Sequence, residues 1–316
     1  MVNNRNKRIN YGDNISILRK NNELSLFKVK DATGRGLMTS YNVFPGIDIM
    51  FNDFQMQQCF SNFHSNVHML TIDFCLEGRI EWEFQNGTFM YLGKDDIQIC
   101  LNRNHHHLFG FPLHYYKGIT IAIYLDTAPP SLFKDFSIDL QDLIKRFKDN
   151  GQPFIIRSVD SLQHIFHQLY AVPEKIRTPY FQLKIMELLL SLSTIDICPF
   201  SQSSPYFPKK QVETVKSIME YMRTHIDERM TLVELSTHFN IPLTTMKNCF
   251  KAIYGQSIYS YLRAHRIEIA ADLLRTTDET IATIAGRVGY SNPSKFSAAF
   301  KEIKGMPPTQ YQKEFV

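Results

Sequence analysis

The chain has 316 residues, 44% hydrophobic and 13% aromatic, enough apolar side chain to pack two domains and too much for a disordered polymer. No run of eighteen apolar residues occurs and the opening MVNNRNKRINYG is polar and basic, so no membrane span or secretory signal is predicted and a cytoplasmic location is expected. The formal charge of +4 sits in the last third, where residues 209–316 hold 15 Lys and Arg against 11 Asp and Glu, which points that part toward a polyanion.

The runs MTSYNVF, IDIMF, MLTIDFC, DIQICL and GITIAIYL are separated by Gly, Asn, Asp or Pro, the rhythm of an all-β sandwich or barrel, and residues 1–160 are read as a small β-barrel. Within it, GRIEWEFQNGTFMYL alternates Ile80, Trp82 and Phe84 with Glu81 and Glu83. Asn86-Gly87 then supplies the two positive φ angles of a type I′ hairpin turn. His64, His68 and the run His105-His106-His107 invite a metal site at a barrel mouth. Adjacent strand residues point to opposite faces, however, so at most two of the three converge, and no carboxylate completes a set. No metal or other cofactor is expected, and solvated or core histidines are the favoured reading. Glu77 and Glu81, beside Arg79, are read as surface charges rather than an acid/base pair. Cys59, Cys75, Cys100, Cys198 and Cys249 are odd in number and form no CxxC pair, as suits reduced thiols.

Leu162, Ile165, Phe166 and Leu169 fall at helical spacing, and YFQLKIMELLLSLS from Tyr180 is apolar on nearly all sides. Residues 161–197 are therefore predicted to be a helical segment, the second helix buried and carrying dimer contacts. CPFSQSSPYFPKK, residues 198–210, is rich in proline and serine and is read as an interdomain linker.

Beyond it the chain repeats itself. FKAIYGQSIYSY at 250–261 returns as FKEIKGMPPTQY at 300–311, and an offset of 50 pairs Met246 with Phe296, Phe250 with Phe300, Gly255 with Gly305 and Tyr261 with Tyr311. Ahead of the first copy, Thr231 and Glu234 form a capping box, Leu232 and Leu235 turn inward, the helix breaks at Asn240-Ile241-Pro242, and a second helix places Met246 and Phe250 on one face. Ahead of the second copy, Ile281, Ile284 and Ala285 turn inward, Gly289 makes the turn, Asn292 caps and Pro293 takes the first helical position. Each is a helix-turn-helix unit, whose second helix suits the major groove. The outer faces carry Thr244, Thr245, Lys247, Asn248 and Lys251 in one copy and Pro293, Ser294, Lys295, Ser297, Ala298 and Lys301 in the other. These are suited to bases and phosphates, although any one alone is equally well explained as the wet side of a surface helix.

These paired units, above all IATIAGRVGYSNPSKFSAAFKEIKGMPPTQYQK, resemble the C-terminal DNA-binding domain of the AraC/XylS family of bacterial transcription regulators over residues 211–316. The resemblance implies two subdomains joined by a helix matching Ile258–Leu274, with base contacts from Thr244, Lys247 and Asn248 and from Pro293, Ser294, Ser297 and Ala298. Pro242 stands where the family usually has a capping serine. DFCLEGRIEWEF and YLGKDDIQI resemble the cupin-like sensor domain of such regulators, with His64, His68, Trp82, His105 and His107 as candidate ligand residues. The implied fold is α+β and multidomain: a cupin-like β-barrel with a helical dimerisation segment, then an all-α domain of two helix-turn-helix subdomains. The implied function is a non-enzymatic, sequence-specific regulator, in the family's commoner sense an activator. It would act as a homodimer on promoter DNA with RNA polymerase and answer to a small-molecule effector. Two rivals stay open here, a metal-dependent cupin enzyme with a DNA-binding tail and a regulator that answers to a protein partner alone.

Overall fold

The computed structural model describes residues 9–10, 14–61, 64–65, 68–84, 86–101, 107–147, 153–157, 159–198, 206–228 and 230–315. The chain divides into two compact units, residues 1–206 and 207–316.

The first unit contains strands β1 (Ile9–Asn10), β2 (Ile15–Lys20), β3 (Leu24–Asp31), β4 (Gly34–Phe44), β5 (Ile47–Gln55), β6 (Gln58–Ser61), β7 (His64–Ser65), β8 (Met69–Glu83), β9 (Thr88–Gly93), β10 (Ile97–Leu101), β11 (His107–Gly110), β12 (Tyr115–Tyr124) and β13 (Phe154–Ile156). Its helices are α1 (Pro130–Lys134), α2 (Leu140–Arg146), α3 (Asp160–Gln168) and α4 (Arg177–Thr194). The main sheet is antiparallel in the order β13-β10-β8-β12-β5-β4-β3-β2. Alternation in β8 sends Leu70, Ile72 and Phe74 to a core beneath α3 and α4, where Phe74 stacks on Phe166 at 4.5 Å. Cys75, Trp82, Met90, Leu92, Phe111 and Tyr116 meet in a second core. The register between β8 and β12 shifts between Lys117 and Gly118, and Gly78 takes φ +79°, where a Cβ would lie 2.2 Å from the Tyr115 carbonyl. This bulge bends β8, so that its last residues leave β10 and pair instead with β9 and β11. The expected small barrel is accordingly an antiparallel half-barrel, its strand path running from β13 to β2 without closing among the described residues.

Three local expectations need correction. The hairpin forms, but among the described residues only Gly87 of the Asn86-Gly87 pair has positive φ. Phe84 exchanges backbone bonds with Thr88 and Gly87 while the Asn86 side chain accepts from Thr88, the pattern of a longer loop closed by a glycine bulge. Glu81 is buried on β8 and accepts from the Tyr91 hydroxyl at 2.7 Å, so it is no surface charge; Glu77 is exposed, 3.8 Å from Lys117. Helix α4 buries Phe181, Ile185, Met186, Leu188, Leu189 and Leu192 within its own unit but leaves Leu183 at 65% and Leu190 at 39% exposure, so it is not covered on all sides.

From Lys209 onward the second unit is built of helices: α5 (Lys209–Thr224), α6 (Leu232–His238), α7 (Leu243–Tyr254), α8 (Ile258–Thr276), α9 (Ile281–Arg287), α10 (Pro293–Lys304) and α11 (Pro308–Phe315). Helix α5 starts inside the proline-rich stretch 198–210, and α8 runs two residues past the expected Leu274. The structure accounts for the repeat. Phe250 and Phe300 are fully buried. Gly255 and Gly305 end α7 and α10 with φ +80°, their N–H groups donating to the carbonyls of Lys251 and Lys301 at 2.8 and 2.9 Å; this left-handed cap favours glycine. Tyr261 and Tyr311, on the following helices, then close edge-on over Phe250 and Phe300 at 5.8 and 5.3 Å.

Gly289, in the turn between α9 and α10, has φ +79° like the caps, but a Cβ there would sit 2.7 Å from the Arg266 guanidinium and 2.9 Å from the Ile226 carbonyl, whereas Gly305 faces open space. Gly305→Ala should cost about 1 kcal/mol of backbone strain, and Gly289→Ala roughly 1 kcal/mol more through crowding. Urea unfolding of both variants followed by circular dichroism checks this; equal losses would mean the crowding at Gly289 relaxes freely.

Candidate nucleic-acid interface

The two helix-turn-helix units begin with side-chain caps placed by sequence. The Thr231 hydroxyl accepts from the Glu234 N–H at 3.2 Å and the Glu234 carboxylate accepts from the Thr231 N–H at 2.8 Å, which holds that carboxyl below its ordinary value. Thr280 caps α9 by accepting from the Thr283 N–H at 3.2 Å. The turns then differ. Asn240 at φ +48° takes the left-handed position in the first and Gly289 in the second, and equivalent bonds run from the Ile241 N–H to the Ser236 carbonyl and from the Tyr290 N–H to the Ala285 carbonyl. Four residues separate α6 from α7 and five separate α9 from α10. The extra residue makes room for Asn292, whose side chain accepts from the N–H groups of Ser294 and Lys295 at 2.9 and 3.2 Å. Pro242 holds the corresponding place before α7 and offers no side-chain bond.

Both second helices bury their apolar backs. Met246, Cys249, Phe250 and Ile253 are fully buried in α7, as are Phe296 and Phe300 in α10. With the backs fixed, helical period turns the other side outward: Thr244, Lys247, Asn248 and Lys251 are exposed, with Thr245 half-buried, and in the second copy Pro293, Ser294, Lys295, Ala298 and Lys301 are exposed, with Ser297 half-buried. The outward residues expected from sequence thus share one face on each helix.

The electrostatics of these faces depend on contacts that sequence reading missed. Glu302, the one acid of α10, is taken by Arg263 of α8 through two bonds of 3.0 and 2.5 Å, and these hold its carboxyl below the ordinary value. Lys304 in turn reaches Glu268 of α8 at 2.5 Å. Helix α7 contains no acid. Among the described residues, none of Lys247, Lys251, Lys295 and Lys301 is ion-paired. The partners of these bonds lie 36 and 39 residues apart, where no periodic pattern announces them.

The ligand residues expected in the first unit are less coherent. Trp82 is a core side chain, 3% exposed and edge-on to Phe109. His68 is exposed, 3.8 Å from Asp126. His64 and His107 lie on β7 and β11, while His105 and His106 fall outside the described residues. Among the described residues no group of three or more His, Cys, Asp and Glu is placed to hold a metal, and no helix is long and apolar enough to cross a membrane.

The C-terminal unit is similar to parts of known proteins. Residues 235–314 match a family described as a helix-turn-helix domain. A Streptomyces lividans protein named as an AraC-like transcription regulator is 42% identical over 83 residues, covering 26% of this chain and 27% of that protein. The HTH-type transcriptional activator RhaR of Mannheimia succiniciproducens is 26% identical over 155 residues, 49% of this chain and 55% of that one. Among solved structures, the C-terminal domain of AraT, a response regulator from Geobacillus stearothermophilus, is 32% identical over 32% of this chain and 84% of that chain, with a TM-score of 0.31. The chain spans less than two-thirds of the length of the curated relatives it matches, between 27% and 59% for those at hand.

The Asn292 side chain anchors the start of α10 through two backbone N–H groups. Asn292→Ala should cost about 1 kcal/mol of local stability, seen as faster hydrogen exchange at the Ser294 and Lys295 amides; unchanged exchange there would show that Pro293 alone sets the helix start.

Proposed function

We propose that this chain, whose C-terminal unit is a helix-turn-helix domain of the AraC type, is a sequence-specific DNA-binding transcription regulator. It acts in the cytoplasm, activates by engaging RNA polymerase at a promoter, and works as a homodimer. The observation that carries the DNA-binding part is the pair of helices with buried aromatic backs and outward faces that hold four lysines unpaired among the described residues. Each face combines short polar groups, which suit base edges, with flexible cations, which suit phosphates.

Helix α8 has 19 residues, about 28 Å at 1.5 Å per residue. With α7 and α10 joined through this helix, their two outward faces suit successive major grooves, about 34 Å apart on one side of the duplex. Signal input is assigned to the half-barrel, where a small effector would bind with help from residues such as His64, His68, Trp82, His105 and His107, and dimer contacts are assigned to the helical segment 161–197, whose Leu183 and Leu190 stand open. A ligand that binds only the folded half-barrel raises its melting temperature, so an effector screen by thermal shift tests the input.

The output is tested on α7. Asn248 has an amide that donates and accepts at once, as adenine requires, whereas Lys251, one turn further along, offers a mobile charge. On duplexes selected by the full chain from a random pool, Asn248→Ala should cost about 1–3 kcal/mol on the preferred site and little on scrambled DNA. Lys251→Ala should weaken both alike and lower the salt slope by about one. Binding isotherms at several salt concentrations decide it. An unselective wild-type chain would sink the regulator reading; equal losses on both duplexes for Asn248→Ala would make that residue a positioner of the helix.

A further inference from the structure

Arg266 lies near the middle of α8 and reaches both helix-turn-helix units. Its guanidinium donates to the carbonyl of Glu228, in the segment between α5 and α6, at 2.7 Å, and to the carbonyl of Gly289, in the turn between α9 and α10, at 3.4 Å. The two segments also approach each other directly, because a Cβ on Gly289 would come within 2.9 Å of the Ile226 carbonyl. Three parts of the unit therefore converge on one guanidinium: the entry to the first helix-turn-helix, the turn of the second, and the helix that joins them. Gly289 leaves the space this requires, since any side chain there would meet the Arg266 head at 2.7 Å.

The remaining polar ties are unevenly shared. Arg263–Glu302 and Lys304–Glu268 bind α8 to α10, and Ile267, Ala270, Ala271 and Leu274 of α8 share one core with Phe296 and Phe300. The second half of the joining helix is thus part of the second unit's body, while Tyr261 in its first turn closes over Phe250 of the first. Toward the loop ahead of α6, Arg266 of this helix donates to the Glu228 carbonyl. A planar, fixed fork is the side chain that can hold two carbonyls at a set separation; a lysine ammonium reaches either one but lacks that geometry.

We infer that Arg266 is a positioning residue that fixes the angle and distance between α7 and α10, and so sets the half-site spacing the protein accepts. This rests on the reading that both helices enter DNA. Two linked binding elements gain from each other only when their geometry lets both engage at once. Each added base pair moves the second half-site by about 3.4 Å and rotates it by about 35°, so a rigid joint confines the protein to one spacing and a loose joint relaxes that choice.

The experiment uses the full chain and a two-part duplex that the wild type selects from a random pool. Companion duplexes carry one or two extra base pairs between the halves, or have one half scrambled. Wild type should lose roughly tenfold or more in affinity on the shifted duplexes. Arg266→Met should bind the selected duplex roughly tenfold more weakly, lose no more than about twofold further on the shifted ones, and bind the half-scrambled duplex as wild type does. Arg266→Lys should fall between, with helix content by circular dichroism unchanged. A merely destabilised protein would weaken on every duplex, the half-scrambled one included, and that result from the folded Arg266→Lys variant overturns the inference. So does a spacing profile as steep as wild type in either variant, with the DNA-binding reading left intact. If wild type selects no two-part site, the reading beneath fails and the inference falls with it.

Discussion

Burial of Phe250 and Phe300 governs what the C-terminal unit can present. A helix turns 100° per residue, so seating one side chain in the core sets the direction of every other. Met246 one turn before Phe250, and Phe296 one turn before Phe300, remove the remaining freedom of rotation, and all four are fully buried. Each large side chain withdrawn from water contributes about 1.5–3 kcal/mol, far more than any polar contact on the opposite face, so the apolar back decides and the polar front follows. The glycine caps and the tyrosines closing over each phenylalanine belong to the same device, which is why sequence identity between the copies clusters around these positions.

The charge of the unit is organised by the same division. A surplus of four is small over the last third of the chain, but its distribution is not uniform. Glu268 of α8 and Glu302 of α10 are paired with lysine and arginine between those two helices, Arg263 holding the Glu302 carboxyl below its ordinary value, while Asp272 pairs with Arg275 within α8. The lysines of the outer faces keep their charge for whatever approaches. Neutralisation between α8 and α10 and cationic character on the outer faces are two aspects of one arrangement.

What the sequence disclosed is what local spacing can disclose. The capping box at Thr231 and Glu234, the Asn292 cap, proline at the start of α10 and the turn at Gly289 all follow from residues within four of each other, and the outward faces follow from the helical period. Contacts between distant segments were invisible: Arg263 with Glu302, Arg266 with two backbone carbonyls, and the burial of Glu81, which depends on Tyr91 across a hairpin. The bend of β8 was hidden because a bulge shows in pairing rather than in alternation, and the exposure of Leu183 because an apolar run says nothing of how many neighbours are present to cover it. One feature was present and overlooked. Thr231 and Thr280 are 49 residues apart while Phe250 and Phe300 are 50 apart, so the turn between them had to be longer in the second copy.

That extra residue shows where the two copies are free to diverge. Inserted in the turn, it displaces nothing, because α10 begins afresh at its own cap and Phe296 and Phe300 find the core as Met246 and Phe250 do. Inserted within a helix, a single residue would carry every side chain beyond it a hundred degrees around the axis, bringing a lysine into the core and a phenylalanine out of it. Changes of length across lineages should therefore collect between Phe239 and Pro242 and between Val288 and Asn292, while α7 and α10 themselves keep twelve residues each.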